Sequence, residues 1–443
     1  MTHKHIFSLC MIGILAAGTL SGQVYFQYMG LENTPKHTAR SLSLGGNALA
    51  LEKSPLAGLN NPAAMYSREE ALTLYANLNL ATFTERRSFP VQDSFGDFIA
   101  ENDYVSNRFS KMEGDVAIYY AQKGFTASGG WYTLENYAYD YREEIRSDMG
   151  SGAYYRDPLA GLHLIHFSGL VHGLNVALAH DIGERFALGY AFTQLYGSGI
   201  EEGFGVIPIL NDNKLSSQDT TYFPASPEGF RGNMVNLGLT AQITPRLQAG
   251  IHTNLQGTYF MRGTSMITQM DSAMLVPVYS PDPDSLYDLV VHRPNTYSLA
   301  LRYIPANELK TTLYAQLDLN GWGSYSMHFY HSGDDSLVHA FEPGYAANLS
   351  VRAGVEHVFF TGMPVRFGFV YEQSPISREM DRTVIHLGSG WISERVTLDV
   401  GVAIYQNMYR YDDLFPVVGE GRAIRDKVKE SSVRTHLSLS YAF

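Results

Sequence analysis

Residues 234–261 read MVNLGLTAQITPRLQAGIHTNLQGTYFM, and the fold class follows from how this stretch is divided. Val235, Leu237, Leu239, Ala241 and Ile243 alternate with Asn236, Gly238, Thr240 and Gln242. Thr244-Pro245-Arg246 supplies a tight turn. Beyond it Leu247, Ala249, Ile251, Leu255, Tyr259 and Met261 are expected on one face, against Gln248, Gly250, His252, Asn254, Gln256 and Thr258 on the other. A period of two over this length, with one apolar face and one face of small and amide residues, describes a strand pair between lipid and water. The second strand is longer than most strands of soluble sheets.

The pattern recurs along the chain. Phe186, Leu188, Tyr190 and Phe192 alternate with Ala187, Gly189 and Ala191, and Tyr297, Leu299, Leu301 and Tyr303 with Ser298, Ala300 and Arg302. The final strand places Leu437, Leu439, Tyr441 and Phe443 outward and His436, Ser438, Ser440 and Ala442 inward. Fourteen such segments are expected, the first at 71–83 and the last at 433–443, with 159–182 kept as one strand, bent if necessary. Their connections alternate. Lys123, Gly183-Glu184, Thr244–Arg246, Ile304–Leu309, Thr361–Met363 and Glu394 make short turns. Residues 84–112, 138–158, 199–231, 262–294, 322–347, 375–381 and 410–432 are read as the loops of the other rim. An even number of strands with short turns on one side is the pattern of a bacterial outer-membrane barrel.

Composition agrees. Charged residues make up 17% of the 443, aromatics 13%, with 30 Tyr and 23 Phe. Mean hydropathy is only −0.13, too low for a bundle of membrane helices. The formal net charge of −12 argues against nucleic acid as a partner. Met1-Thr-His-Lys4-His5, an apolar run from Ile6 to Leu20 and Ser21-Gly22-Gln23 have the form of a secretory signal peptide, residues 1–22, cleaved before Gln23. The single cysteine, Cys10, falls within it, so the remaining chain offers no thiol chemistry.

Residues 23–70 do not alternate. Ala39-Arg40, then Leu44-Gly45-Gly46-Asn47-Ala48, then Asn61-Pro62-Ala63 precede the first strand. A segment rich in small residues, tethered to that strand, is expected to fold into the lumen as a hatch or plug, leaving 71–443 as the transmembrane barrel. These residues, with Ala315–Trp322, Ser374-Pro-Ile-Ser and Arg382–Trp391, resemble the FadL-type family of outer-membrane transporters of long-chain fatty acids and other hydrophobes. The resemblance covers the first 70 and the last 130 residues. It implies Gly45, Gly46, Asn61, Pro62 and Ala63 as hatch residues, and a sideways exit for the cargo at a kinked third strand. Gly129 and Gly130 are the expected kink, since paired glycines weaken a strand.

Charges at inward positions include Arg302, Arg352 and Arg366 beside Asp318, Glu356, Glu372 and Asp399. The three arginines could hold a cargo carboxylate, or the seven groups could brace the lumen by pairing. No Gly-x-Ser-x-Gly elbow is present, and His163 and His166, three apart on one strand, face opposite sides. Neither an enzyme, a metal nor a cofactor is therefore expected. The expected partners are hydrophobic small molecules or lipids and the surrounding outer-membrane lipid. The alternative function is that of the FadL-like PorV and PorQ branch, in which the barrel works by contact with proteins of type IX secretion. A lumen filled by side chains with apolar outer loops that dock a partner would favour that branch, and a continuous apolar pocket opening near Gly129 would favour transport; Val206–Leu210 could line either an entry groove or a docking face.

Overall fold

The computed structural model describes residues 36–93, 95, 97–146, 159–208, 221–264, 266–271, 274–279, 286–306, 309–412, 414 and 425–443. The expected signal peptide, its cleavage site, the first part of the leader and Ile209-Leu210-type loop residues beyond Pro208 lie outside them.

The chain is a closed 14-strand antiparallel barrel with almost no helix. Strands β1 Ala71–Gln92, β2 Phe98–Gln122, β3 Phe125–Asn136, β4 Leu159–Ile182, β5 Phe186–Pro208, β6 Glu228–Thr244 and β7 Leu247–Gln256 form the first half. Strands β8 Thr296–Tyr303, β9 Lys310–Asn320, β10 Asn348–Val358, β11 Pro364–Glu372, β12 Arg382–Ile392, β13 Val396–Tyr411 and β14 Asp426–Ala442 form the second. Each pairs with the next, and β14 returns to β1 from Thr73↔Ala442 to Ser88↔Lys427, leaving no sheet edge. The expected long strand is one strand, β4, bent where Gly169 takes φ +112° and the register with β5 slips between Ser168 and Leu170.

Outside, Leu72, Leu74, Leu78 and Leu80 on β1 and Leu437, Leu439, Tyr441 and Phe443 at the chain end are exposed, as are Leu299, Leu317, Val351, Phe367 and Leu387 around the wall. A closed barrel with such a belt is a membrane barrel: every backbone group pairs within the wall, and apolar side chains meet lipid. It belongs in the bacterial outer membrane, with the short turns on the periplasmic side.

Two readings of the sequence need correction. First, the expected outer loops are largely strand. Residues 84–112 are a hairpin continuing β1 and β2, Tyr139–Arg146 continues β3, Thr258–Thr264 continues β7, and Tyr287–His292, Ser326–His331 and Leu337–Phe341 extend β8, β9 and β10. The wall therefore rises well above the lipid belt. Second, Tyr259 and Met261 point inward, not outward with Ile251. The strand is interrupted at Gly257, whose N–H bonds Asn233 O at 2.9 Å, and the extra residue inverts the alternation. Similar inversions occur on β3 between Thr133 and Glu135, on β8 near Asn295, and on β9 at Gly321–Ser324. Above this level inward positions are aromatic, among them Tyr137, Tyr139, Phe167, Tyr259, Tyr325, Phe329 and Tyr411, in one continuous buried cluster.

Candidate functional site: the barrel interior

Below the aromatic cluster, inward positions are small or polar, and residues 36–66 lie against them. The segment starts with α1, Ala39–Ser43, capped by Thr38, whose Oγ1 accepts from Ser41 N at 2.9 Å. Gly45 and Gly46 end it, both near φ +74°, a conformation that costs a side chain-bearing residue about 1 kcal/mol or more. Three short 3-10 turns follow, Ala48–Leu51, Pro55–Leu59 and Pro62–Met65. The last two begin with proline after Ser54 and Asn61, which cap them through their side chains.

The wall receives this backbone on glycine. A Cβ at Gly354 or Gly368 would lie within 3.0 Å of Leu44 or Gly45 backbone, one at Gly401 within 3.0 Å of Ala39, and one at Gly189 or Gly238 within 3.0 Å of Asn61–Ala63. Wall side chains then satisfy the segment's backbone: Ser438 Oγ accepts from Ala39 N at 2.8 Å, Gln316 Oε1 from Ala48 N at 2.8 Å, and Tyr119 OH donates to Met65 O at 2.9 Å. Three ion pairs pin segment to wall. Lys36 meets Glu113, Glu52 meets Arg302 at 2.5 Å, and Arg40 grips Glu356 through Nε and Nη2 at 3.0 and 2.9 Å. His37 is buried beside them, and burial with the nearby Arg352, His436 and His386 holds its pKa well below 6.5.

The expected lumen arginines are all engaged. Arg302 holds Glu52; Arg352 holds Asp318 at 2.6 Å and Gly45 O at 3.2 Å; Arg366 bridges Glu356 at 2.6 Å and Asp399 at 2.7 Å. A cargo carboxylate at any of them would have to displace a protein carboxylate or carbonyl. Cavities between segment and wall are small. One of about 60 Å³ lies among Lys36, His37, Phe83, Lys111, Glu113 and His436, and a polar one of about 20 Å³ lies among Asn60, His252, Asp318 and Arg352. Among the described residues no group of three or more His, Cys, Asp or Glu side chains could hold a metal ion.

A seam opens in the wall between β2 and β3. β2 and β3 are laddered from Gln122↔Phe125 up to Asp115↔Tyr132, and no backbone pairing between them continues above that among the described residues. β2 stays paired to β1 on its other side, and β3 to β4. Side chains stitch the seam instead: Asp115 Oδ1 accepts from Thr133 N at 3.1 Å, Thr133 Oγ1 donates to Gly114 O at 3.1 Å, Asn136 Nδ2 to Met112 O at 3.4 Å, and Arg142 N to Asn107 Oδ1 at 3.3 Å. The 60 Å³ cavity abuts it through Lys111, Glu113 and Leu134.

Comparison with solved structures matches this arrangement over nearly its whole length. The chain has the fold of the FadL-type transporters. A Pseudomonas aeruginosa FadL homologue superposes with TM-score 0.59 at 13% identity, over 93% of this chain and 98% of its own. The P. putida toluene transporter TodX gives 0.59 at 13%, over 93% and 99%, and the Ralstonia pickettii toluene transporter TbuX gives 0.56 at 15%, over 93% and 99%. No family model and no curated protein matches the chain.

Within this FadL-type fold the expected site residues separate into groups. Gly45, Gly46, Asn61, Pro62 and Ala63 all lie in the luminal segment, packed against the wall. Gly129 and Gly130 sit inside an intact ladder on both sides, opposite Ile118 and Ala117 and opposite Val176 and Asn175. Gly130 leaves room for the Tyr132 ring. The irregularity of β3 is three to five residues further on, at Thr133–Glu135. Residue patterns did not single out Arg40 as a pin, the wall glycines as a docking surface, or Arg87 and Arg293, the buried guanidiniums set over the rings of Tyr141 and Tyr259. The glycines could have been found as a class: Gly189, Gly238, Gly354, Gly368 and Gly401 all occupy positions facing the interior.

Proposed function

We propose that this barrel transports hydrophobic small molecules across the outer membrane, with residues 36–66 as the hatch and the β2–β3 seam as a sideways exit. The observation carrying this reading is the seam: above Asp115 and Tyr132 the β2–β3 wall is held by side chains, and an internal cavity abuts it there. Apolar cargo descending through the aromatic upper lumen would meet the hatch, pass Lys111 and Leu134, and leave between β2 and β3 into lipid. That the structural neighbours TodX and TbuX are toluene transporters supports the cargo class. Because Arg302, Arg352 and Arg366 are already neutralised, we favour an uncharged hydrocarbon over a long-chain fatty acid.

The two cavities between hatch and wall are far smaller than the roughly 300 Å³ of an ordinary ligand pocket, so cargo passing there would have to displace the hatch. The test is a cysteine pair across the seam, Lys111→Cys with Leu134→Cys, whose native side chains line the same cavity. Oxidation should abolish uptake of labelled toluene by intact cells, and reduction should restore it. Uptake indifferent to the crosslink would sink the lateral route.

A second reading rests on different observations. The tip of the β1–β2 hairpin exposes Phe95, Phe98 and Ile99, and the upper lumen carries a buried aromatic cluster among the described residues. Both suit a barrel that docks secreted proteins in the manner of PorV and PorQ. A deletion strain that takes up hydrocarbons normally but retains secreted proteins at its surface or periplasm would favour it.

A further inference from the structure

The outward face of β13, β14, β1 and β2 changes in a regular order going up the wall. On β1 it runs Leu72, Leu74, Leu78, Leu80, then Thr82 and Thr84, then Arg86; on β14 it runs Tyr441, Leu439, Leu437, then Thr435, Val433 and Ser431, then Lys429 and Lys427. β2 gives Tyr120, Ile118, Val116 and Met112, then Ser110, then Arg108; β13 ends its outward face with Arg410. Acyl chain, glycerol or sugar, and phosphate succeed each other in the same order at the edge of a bilayer.

The cations are neighbours. Arg86 stands opposite Lys429, Lys427 opposite Arg410, and Arg108 opposite Thr84, one position from Arg86 on the same face. Arg142 joins them across the seam, where its backbone bonds Asn107. Glu101 holds Lys427 and Lys429, Asp103 is exposed nearby, Glu379 accepts from Arg410 N at 3.4 Å, and Asp140, held by His166, and Glu144 neighbour Arg142 on its strand, so the six cations meet five acids, and those acids leave Arg86 and Arg108 unheld. The side chains of Arg86, Arg108 and Arg142 have no partner among the described residues. This concentration occurs on a chain of net charge −12. Solubility alone calls for no such grouping, and like charges at adjacent cross-strand positions destabilise a sheet unless an anion lies between them.

We propose that this patch binds the phosphate groups of anionic lipids in the outer leaflet, holding one or more such lipids against the wall on both sides of β1. Guanidinium suits phosphate because it donates two parallel hydrogen bonds, and clustered basic side chains beside an apolar wall form lipid headgroup sites. The lipid would lie directly over the upper part of the β2–β3 seam, flanked by Arg108 and Arg142.

The test uses the full-length barrel extracted from outer membranes in mild detergent, with bound lipid counted by native mass spectrometry. The wild type should retain a bisphosphorylated glycolipid and release it after phosphatase treatment of the lipid. The triple variant Arg86→Gln, Arg108→Gln, Lys429→Gln should retain at least ten-fold less, while Arg231→Gln, on the opposite wall, should match the wild type. Heat-dependent gel migration confirms that each variant is a folded barrel. Equal retention by wild type and triple variant overturns the proposal, as does equal binding of the dephosphorylated lipid. Competition by inorganic pyrophosphate as effective as that by the lipid would assign the patch to free phosphate and also overturn it.

Discussion

At Gly354 and Gly368, paired across β10 and β11, the wall has no room for a methyl group, because Leu44 and Gly45 occupy the space. Gly368→Val should therefore cost about 1–3 kcal/mol through overpacking, more if the hatch cannot shift, and should leave the barrel folded but residues 36–66 newly sensitive to protease. Limited proteolysis before and after heat unfolding checks both halves. Arg366 is the reverse case, a residue whose loss uncovers others. Arg366→Ala strands Asp399 in a buried setting and leaves Glu356 to Arg40 alone, and about 3–5 kcal/mol of stability should go with it. His37 contributes to the pH dependence of docking. Its folded pKa lies well below 6.5, so the folded state favours the neutral ring while the unfolded chain takes up a proton near 6.5. The stabilisation is complete above about pH 6.5 and falls as pH drops below it. His37→Gln should reduce the slope of the stability profile just below pH 6.5, measured by thermal unfolding; an unchanged slope would mean His37 contributes nothing to it.

At the scale of the strand, the seam hangs on Asp115, which accepts from Thr133 N on one side and from Asn77 Nδ2 at 2.9 Å on the other. Asp115→Ala leaves Thr133 N and Asn79 Nδ2 without their acceptor, about 1–3 kcal/mol, and should accelerate amide hydrogen exchange in 133–136 relative to 125–132. Under the transport proposal it should also raise toluene uptake; a variant that exchanges faster yet transports less would argue that the seam must reclose in each cycle. The alternation that revealed fourteen strands is a local property and was readable directly: Leu299 against Ser298 or Leu317 against Gln316 needs no knowledge of the partner strand. The inversions at Gly257 and Thr133–Glu135 were not readable. A period-two pattern carries straight across a glycine unless the partner's register is known, so Tyr259 was expected on the face of Ile251. The same limit misplaced the irregularity of β3 at Gly129-Gly130, where glycine serves the fit of Tyr132, and hid the side-chain stitching above it. The ion partners of Arg302, Arg352 and Arg366 depend on three-dimensional proximity between residues as distant as 52 and 302, which spacing cannot supply.

For the whole molecule, residues 36–66 lie across the lower lumen and an aromatic cluster packs the upper one among the described residues, two closures if the proposed hatch role holds. Deleting residues 36–66 should remove one closure and the three ion pairs that hold it. In planar bilayers the deletion should show brief conducting openings where the intact protein is silent, and silence in both would mean the upper cluster seals alone. The contact between Ala39 N and Ser438 spans 399 residues and joins the hatch to the last strand. Contacts of such sequence separation form late, because the chain between them must be ordered first. The barrel accordingly passes through its assembly with the floor unfastened. Every partly built copy is a potential leak in the permeability barrier of the cell, and the fastening of α1 to β14 is the event that ends that hazard.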